Sequence, residues 1–226
     1  MDWRLALAPR PAAPPRAQTR AEEVANAASH ALACALPVLA WPLLSDAAQR
    51  QSGPLGVLSV AVFCLTMVLQ FVASAVFHAL PPGRAKLWAR SVDHAAIYVF
   101  IAGSSTPFTL GVMPGTAGVA TCLLVWSLAL WGASLKLRRR LTNRRLSTGL
   151  YVLLGWGALL AAWPGLQLLD ASALLWLAAG GAAYLVGTAF FVFDSSLRFG
   201  HFVWHLFVMA GSGCHLCAAL GPGLGS

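Results

Sequence analysis

The sequence predicts an all-α membrane protein, with seven transmembrane helices packed as one bundle. Three observations support this fold class: 58% of the 226 residues are hydrophobic, only 10% are charged, and the mean hydropathy is +0.72. Soluble domains carry about 25% charged residues. This chain therefore lacks the polar surface that a soluble domain of its size needs, and one membrane domain uses its whole length.

Seven apolar stretches are long enough to cross a bilayer, which takes roughly 17–25 residues. In chain order they cover residues 27–44, 55–80, 92–113, 117–137, 146–163, 173–193 and 200–220. The first and fifth are short. Proline and glycine punctuate the chain at Ser52-Gly53-Pro54, Pro81-Pro82-Gly83, Pro114-Gly115, Pro164-Gly165 and Gly221-Pro222-Gly223. Such clusters end helices, so each breaker supports the limit of a neighbouring span.

The two ends of the chain lie outside these spans. Residues 1–21 contain no apolar run like that of a signal peptide, and their Pro/Ala/Arg composition predicts a disordered tail. The membrane domain is predicted over 22–220, and 221–226 forms a short carboxyl-terminal tail.

The basic residues orient the bundle. Fourteen of the 15 lysines and arginines fall in the amino-terminal tail and in the second, fourth and sixth loops, and Arg50 alone falls elsewhere. With seven spans these four segments share one side of the membrane. Because basic loops stay in the cytoplasm, the amino terminus is predicted to be cytoplasmic and the carboxyl terminus outside.

Partners and redox state follow from the same distribution. The net charge is +8, but the charges lie between apolar runs and form no basic face for nucleic acid. Anionic lipid headgroups are the expected partner. The five cysteines all lie in apolar segments, so they are read as small packing residues and not as a disulfide framework.

Ionisable residues inside membrane spans mark candidate functional sites. The orientation places His30, His78, Asp93 with His94, and His201 with His205 near the cytoplasmic face, whereas His215 lies farther along the seventh helix. His201 and His205 are spaced i, i+4 and therefore project from one helix face. That spacing suits two ligands of one tetrahedral zinc, and His78 can supply a third.

Two readings of the histidines remain open at this point. A catalytic zinc has three protein ligands and an open position for water, and Asp93 is then the best-placed general base. Ser74, one turn before His78, can support such a site, although helical serines commonly bond their own backbone. In the other reading, the histidines form a hydrogen-bonded helix contact without metal.

Four groups of residues resemble one known family. They are Glu22-Glu23-Val24-Ala25-Asn26 with Ser29-His30, Ser74-x-x-x-His78, Val92-Asp93-His94 followed by Ala102-Gly103-Ser104-Ser105-Thr106-Pro107-Phe108-Thr109, and His201-Phe202-Val203-Trp204-His205 with His215. Together they resemble the bacterial haemolysin III proteins, a group within the progestin and adipoQ receptor family that includes the adiponectin receptors. The resemblance runs from about Glu22 to Leu220.

The resemblance implies a seven-helix fold with a cytoplasmic amino terminus and zinc held by His78, His201 and His205. It implies that Asp93 approaches the metal through a water and that Ser74 lies beside the site. Glu23, Asn26 and His30 match first-helix residues for which a supporting or structural role is expected. Ser29 stands where the family usually has threonine, which also carries a hydroxyl. The short tail and the likeness to bacterial members imply a multi-pass protein of a bacterial inner membrane.

Three functions are compatible with this reading. The first is a hydrolase of lipid amides or esters, similar to the alkaline ceramidases, in which zinc activates a water, Asp93 transfers protons, and Ser74 positions the water or the substrate. The second is a non-catalytic sensor or regulator of membrane lipids that zinc braces. The third is a cytolytic pore, which the absence of a signal peptide and of an amphipathic pore-lining helix disfavours. Neither the lipid nor the oligomeric state follows from the sequence.

Overall fold

A computed structural model gives the structure of residues 16–113 and 115–221. These described residues form helices and connecting turns, with no β-strand among them, which confirms the all-α prediction. The α-helices are α1 (Arg20–Ala33), α2 (Ala35–Ala79), α3 (Arg84–Thr106), α4 (Gly115–Leu137), α5 (Arg144–Ala161), α6 (Trp163–Leu166), α7 (Ala171–Phe193) and α8 (Gly200–Leu220). A π-helical segment, Pro107–Val112, extends α3.

The start of α1 is held by side chains. Thr19 caps the helix, and its hydroxyl accepts the Glu22 N–H while the Glu22 carboxylate accepts the Thr19 N–H, a reciprocal capping box. Glu22 also pairs with Arg16 at 2.6 Å. Residues 1–15 of the predicted tail and 222–226 of the carboxyl-terminal tail lie outside the described residues, so the domain limits remain predictions.

One predicted breaker is visible in the long segment formed by α1 and α2. Gly53 has φ 61° and ψ −150°, which a residue with a Cβ adopts only with strain, so Gly53-Pro54 divides α2 into two parts. The turn at Cys34, between α1 and α2, keeps helical angles. The predicted spans 27–44 and 55–80 therefore correspond to the helical stretches on either side of Gly53.

The third helix differs from its prediction at both ends. It begins at Arg84, eight residues before the predicted start at 92, because its basic first turns remain helical beyond the apolar stretch. Pro107 at its other end has no N–H to donate, and the chain continues there as the π-helix.

The loops alternate between two ends of the molecule. At one end, here called the histidine end, Glu23 binds Lys86 and Arg16 contacts the Leu197 carbonyl. At the opposite end, Gln51 donates to the Leu220 carbonyl, and the Ser52 hydroxyl donates to the Gly111 carbonyl. The described part of the chain thus begins at the histidine end and finishes, after successive passes, at the opposite end.

Aromatic and small side chains fill the interior, and large apolar side chains cover the outside. Phe63, Met67 and Phe71 of α2 are fully buried, whereas Leu39, Leu65 and Leu175 are 75%, 69% and 71% exposed. An apolar exterior is stable in lipid and not in water. Among the described residues, five segments have the length and hydropathy of a membrane span; the first is the 60-residue stretch of α1 and α2, and α5 does not qualify. A seven-span count therefore remains a prediction.

Candidate metal centre

Two of the predicted ligands come from the first turns of α8. The α7–α8 connection ends at Phe199, which has φ 58°, and α8 begins at Gly200. The Phe199 N–H donates to the Glu22 carboxylate at 2.8 Å, so α1 fixes the start of α8. His201 and His205 then lie one turn apart, with ring centroids separated by 4.9 Å.

The third predicted ligand, His78, comes from the end of α2. Its ring centroid is 4.9 Å from that of His201 and 5.1 Å from that of His205. One nitrogen of each of the three rings lies within 4.8 Å of the corresponding nitrogens of the other two. The structure therefore brings together all three histidines that the sequence predicted as ligands, and this cluster can hold a metal ion.

Each of the three imidazoles is held at Nδ1 by a neighbour. His78 Nδ1 donates to Glu23 at 2.7 Å, and His201 Nδ1 donates to Asp194 at 2.8 Å. His205 Nδ1 lies 3.1 Å from the Ser29 hydroxyl, which itself donates to the Asn26 carbonyl, so His205 is the donor in this pair. In the neutral form of each ring these contacts keep the proton on Nδ1, and each Nε2 then carries a free lone pair.

The Nε2 atoms have no partner in the described part of the chain. Those of His78, His201 and His205 are buried and accept no hydrogen bond. Leaving a buried acceptor unsatisfied costs about 1–3 kcal/mol, and here three such costs are concentrated at one place. Three converging imidazole lone pairs whose Nδ1–H groups bind carboxylates or a hydroxyl are the arrangement found around protein-bound zinc. The donor set therefore fits a zinc ion.

Asp93 and Ser74 form a buried polar group beside this cluster. The Asp93 carboxylate accepts a hydrogen bond from Gln70 at 3.2 Å and is also approached by the Ser74 hydroxyl. Asp93 is 4% exposed and Ser74 is 1% exposed. Ser74 precedes His78 by one helical turn, about 5.4 Å along the axis. The Asp93 carboxylate is not part of the group of ligand atoms that lie within 4.8 Å of one another, which the three histidines form.

Asp194 supports the site in a way that the sequence did not reveal. This residue is 7% exposed and joins His201 to Arg144, whose guanidinium is 2.7 Å away. Burial opposes ionisation of the carboxyl, yet the His201 and Arg144 hydrogen bonds outweigh it and hold the pKa of Asp194 below its usual value. The available signal was an acidic residue seven positions before His201.

The remaining histidines have different surroundings. His30 is fully buried and stacks on His205, with ring centroids 3.7 Å apart and planes 8° apart, so it braces a ligand as the first-helix position suggested. His94 Nδ1 donates to the Arg90 carbonyl at 2.6 Å. His215 packs on α7 against Gly180 and Tyr184 and takes no part in the cluster.

Comparison with known proteins agrees with this geometry. The family model described as Haemolysin-III related matches residues 18–216. The "Hemolysin-3 homolog" of Bacillus subtilis (strain 168) is 35% identical over 191 residues, which cover 84% of this chain and 89% of that protein. "Hemolysin-3" of Bacillus cereus is 32% identical over 84% of this chain and 87% of its own length.

A more distant relative comes from an animal. The "Monocyte to macrophage differentiation factor" of Homo sapiens is 26% identical over 164 residues, covering 70% of this chain and 67% of that protein. No solved structure matches the chain. The family match and the apolar helices confirm a multi-pass membrane protein, and the Bacillus relatives agree with the bacterial membrane expected from the sequence. The chain belongs to the Haemolysin-III related family.

Proposed function

We propose that this protein is a zinc-dependent membrane hydrolase that cleaves a lipid amide or ester. The observation that carries the proposal is the convergence of three buried, unpartnered Nε2 atoms from His78, His201 and His205. Buried acceptors are normally satisfied, so three nitrogens that lie together without a partner among the described residues favour a bound cation over a metal-free histidine contact.

Zinc is the metal that this donor set favours. Neutral imidazoles suit several transition metals, but three histidines with an open position are typical of catalytic zinc. A zinc ion held by His78, His201 and His205 would lower the pKa of a coordinated water towards about 7 and so supply a nucleophile at neutral pH.

The roles of the other residues follow from their contacts. Asp93 is held by the Gln70 amide and by Ser74, so its carboxylate is fixed in place to accept a proton and to return one to the leaving group. Ser74 is placed one turn from His78, where its hydroxyl can orient the attacked carbonyl. Glu23, Ser29 and Asp194 keep the three imidazoles in the ligating tautomer.

The substrate class follows from the position of the site. The cluster is built from helices whose outer faces carry exposed leucines, so a substrate reaches it most directly from the lipid phase. The adiponectin receptors resemble alkaline ceramidases in this arrangement, so an acyl amide is the first choice. We further propose that the histidine end faces the cytoplasm, because the basic loops lie at that end.

The second candidate function is a regulator of membrane lipids that zinc braces without turnover. The observation that favours it is mechanical: the cluster joins α2 to α8, and its outer partners Glu23 and Ser29 add α1. A metal here would lock three helices together. The names of the Bacillus relatives suggest a third function, cytolysis, and the turnover experiment includes a test for it.

The first experiment is a metal analysis of protein purified in detergent without metal-affinity chromatography. Wild type should contain about one zinc per chain, whereas His78→Ala and His201→Ala should contain almost none. His215→Ala is the matched control, since this histidine lies outside the cluster, and it should retain zinc. Folded wild type without zinc would remove the proposal and favour a metal-free helix contact.

Turnover is measured next on zinc-loaded protein with a panel of lipid amides and esters. Hydrolysis that disappears with Asp93→Asn while zinc stays bound would support the hydrolase. Full zinc occupancy without any turnover, together with a lower unfolding temperature in His201→Ala, would favour the regulator. Release of a small dye from liposomes that persists after chelation would instead indicate a pore.

A further inference from the structure

A second polar site lies at the histidine end, between α3, α4, α5 and α7. It is a cavity of about 240 Å³ whose lining includes Arg90, Lys136, Arg139 and Arg144. No aspartate or glutamate lines it in the described part of the chain. Four cations around one small cavity repel one another, so the arrangement is most stable when an anion occupies it.

The cations are only partly neutralised by the protein. Arg144 pairs with Asp194 at 2.7 Å, but among the described residues Arg90, Lys136 and Arg139 have no carboxylate within salt-bridge distance. Lys136 instead donates to the Leu141 carbonyl at 3.1 Å, which holds its ammonium group near the cavity. A net positive potential therefore remains inside.

A buried donor without a partner points to the same place. The Arg144 Nε atom is buried and forms no hydrogen bond with the described residues, and Arg144 lines the cavity. Ser147 also lines it and is 2% exposed, with its hydroxyl near those of Tyr98 and Tyr151. Unsatisfied buried donors are uncommon, and the oxygens of a bound anion would satisfy this one.

We propose that this cavity binds the phosphate group of an anionic phospholipid. Arginine forks and a lysine ammonium recognise phosphate oxygens, and basic pockets between membrane helices on the cytoplasmic side bind lipid headgroups. The volume is below the range of about 300–1,000 Å³ for pockets that enclose whole drug-sized ligands, so it suits a headgroup whose acyl chains stay in the bilayer. Leu87, which also lines the cavity, is 54% exposed and opens that side toward lipid.

The headgroup site adjoins the metal centre but does not depend on it. Phe191 lines the cavity, packs under the Arg144 guanidinium at 4.1 Å, and faces His201 with ring centroids 5.9 Å apart. Arg144 also holds Asp194, the partner of His201. A lipid bound here would therefore lie next to the ligand histidines, whether or not the protein turns lipid over.

The test measures lipid binding to the full chain, delipidated in a neutral detergent, by titration with short-chain phosphatidylglycerol. Phosphatidylcholine and glycerol 3-phosphate are titrated in parallel to separate an anionic lipid from a zwitterionic lipid and from a soluble phosphate. Wild type should bind phosphatidylglycerol in preference to both. Arg90→Gln with Lys136→Gln should weaken that binding by roughly thirty-fold.

Arg138→Gln with Arg145→Gln is the matched control. It removes the same charge from the same end of the molecule, but both residues are exposed and neither lines the cavity. The control should lose no more than about three-fold. Equal losses in the two double variants would show ordinary surface attraction and overturn the proposal.

Ser147→Ala keeps all charges and removes a hydroxyl from the cavity wall. The unfolding temperature of the lipid-free variant is measured alongside, because Ser147 also lies near the Tyr98 and Tyr151 hydroxyls. Phosphatidylglycerol affinity should fall by roughly five- to ten-fold. Unchanged affinity in this variant, or glycerol 3-phosphate binding as tightly as phosphatidylglycerol, would contradict a lipid headgroup site.

Discussion

At the scale of single residues, the outer partners of the histidines decide what the cluster can bind. A neutral imidazole presents a lone pair at only one nitrogen, and the partner of the other nitrogen selects which one. Glu23 and Ser29 of α1 and Asp194 at the end of α7 all engage Nδ1. The cluster is therefore prepared for a cation before any cation arrives.

Replacing Glu23 tests this preparation. Glu23→Gln keeps the shape of the side chain but weakens the acceptor of the His78 Nδ1–H and leaves Lys86 without its partner at 2.9 Å. Zinc affinity should fall by roughly 10- to 100-fold, as for other residues that orient ligand histidines. Competition with a chelating dye measures it.

The control for this variant is Asp46→Asn, which removes a carboxylate from the exposed Asp46–Arg50 pair at the opposite end of the molecule. Its zinc affinity should match that of wild type. If Glu23→Gln also matches wild type, Glu23 does not orient His78.

At the scale of helices, close packing holds α2 and α3 in the positions that the site requires. Gly103 of α3 lies directly against Thr66 of α2, and a methyl group added to Gly103 would overlap the threonine side chain. Helices in membranes pack through such small residues. Because His78 is on α2 and Asp93 on α3, this contact helps to hold the two helices that carry them against each other.

Gly103→Ala should therefore destabilise the protein by about 1–3 kcal/mol, the usual cost of overpacking. Gly155→Ala on α5 is the matched change, since nothing lies within 4 Å of the added methyl group, and it should stabilise its helix by roughly 0.5–1 kcal/mol. Unfolding in a denaturing detergent compares the two. Equal stability of both variants would show that the Gly103 contact is unimportant.

The helices also show how far the sequence alone could reach. Apolar runs and breakers predicted the helices and the Gly53 division, and the i, i+4 spacing with the shared depth predicted His78, His201 and His205 as neighbours. The early start of α3 at Arg84 was missed because helical geometry can continue through a polar segment where hydropathy has no signal. The links from Asp194 to His201 and from Ser29 to His205 were missed because they depend on how distant helices rotate against each other.

At the scale of the whole molecule, the loops alternate between the histidine end and the opposite end. The charge distribution predicts that the histidine end faces the cytoplasm. The basic cavity and the metal cluster then lie toward the leaflet where anionic lipids are abundant. The lipids that can reach the two proposed sites therefore depend on the orientation of the bundle in the membrane.

Cysteine labelling in whole cells tests the orientation. In a chain whose five native cysteines are replaced, Gln49→Cys should react with a membrane-impermeant maleimide in intact cells. Arg139→Cys should react only after permeabilisation. Both positions are exposed in the structure, so access to the reagent depends on the membrane alone. The reverse pattern would invert the bundle, and labelling of both in intact cells would contradict a membrane between the two ends.

The link between Glu22 and Phe199 also bears on how the protein is made. Glu22 and Ser29 of α1 leave the ribosome early, whereas Phe199 and His205 emerge near the end of synthesis. The contacts Glu22–Phe199 and Ser29–His205 join residues that are 177 and 176 positions apart. His78 and Glu23 are synthesised before the two ligands of α8 are available. Closure of the histidine cluster is thus a late event of biogenesis, and a truncated chain without α8 cannot complete it.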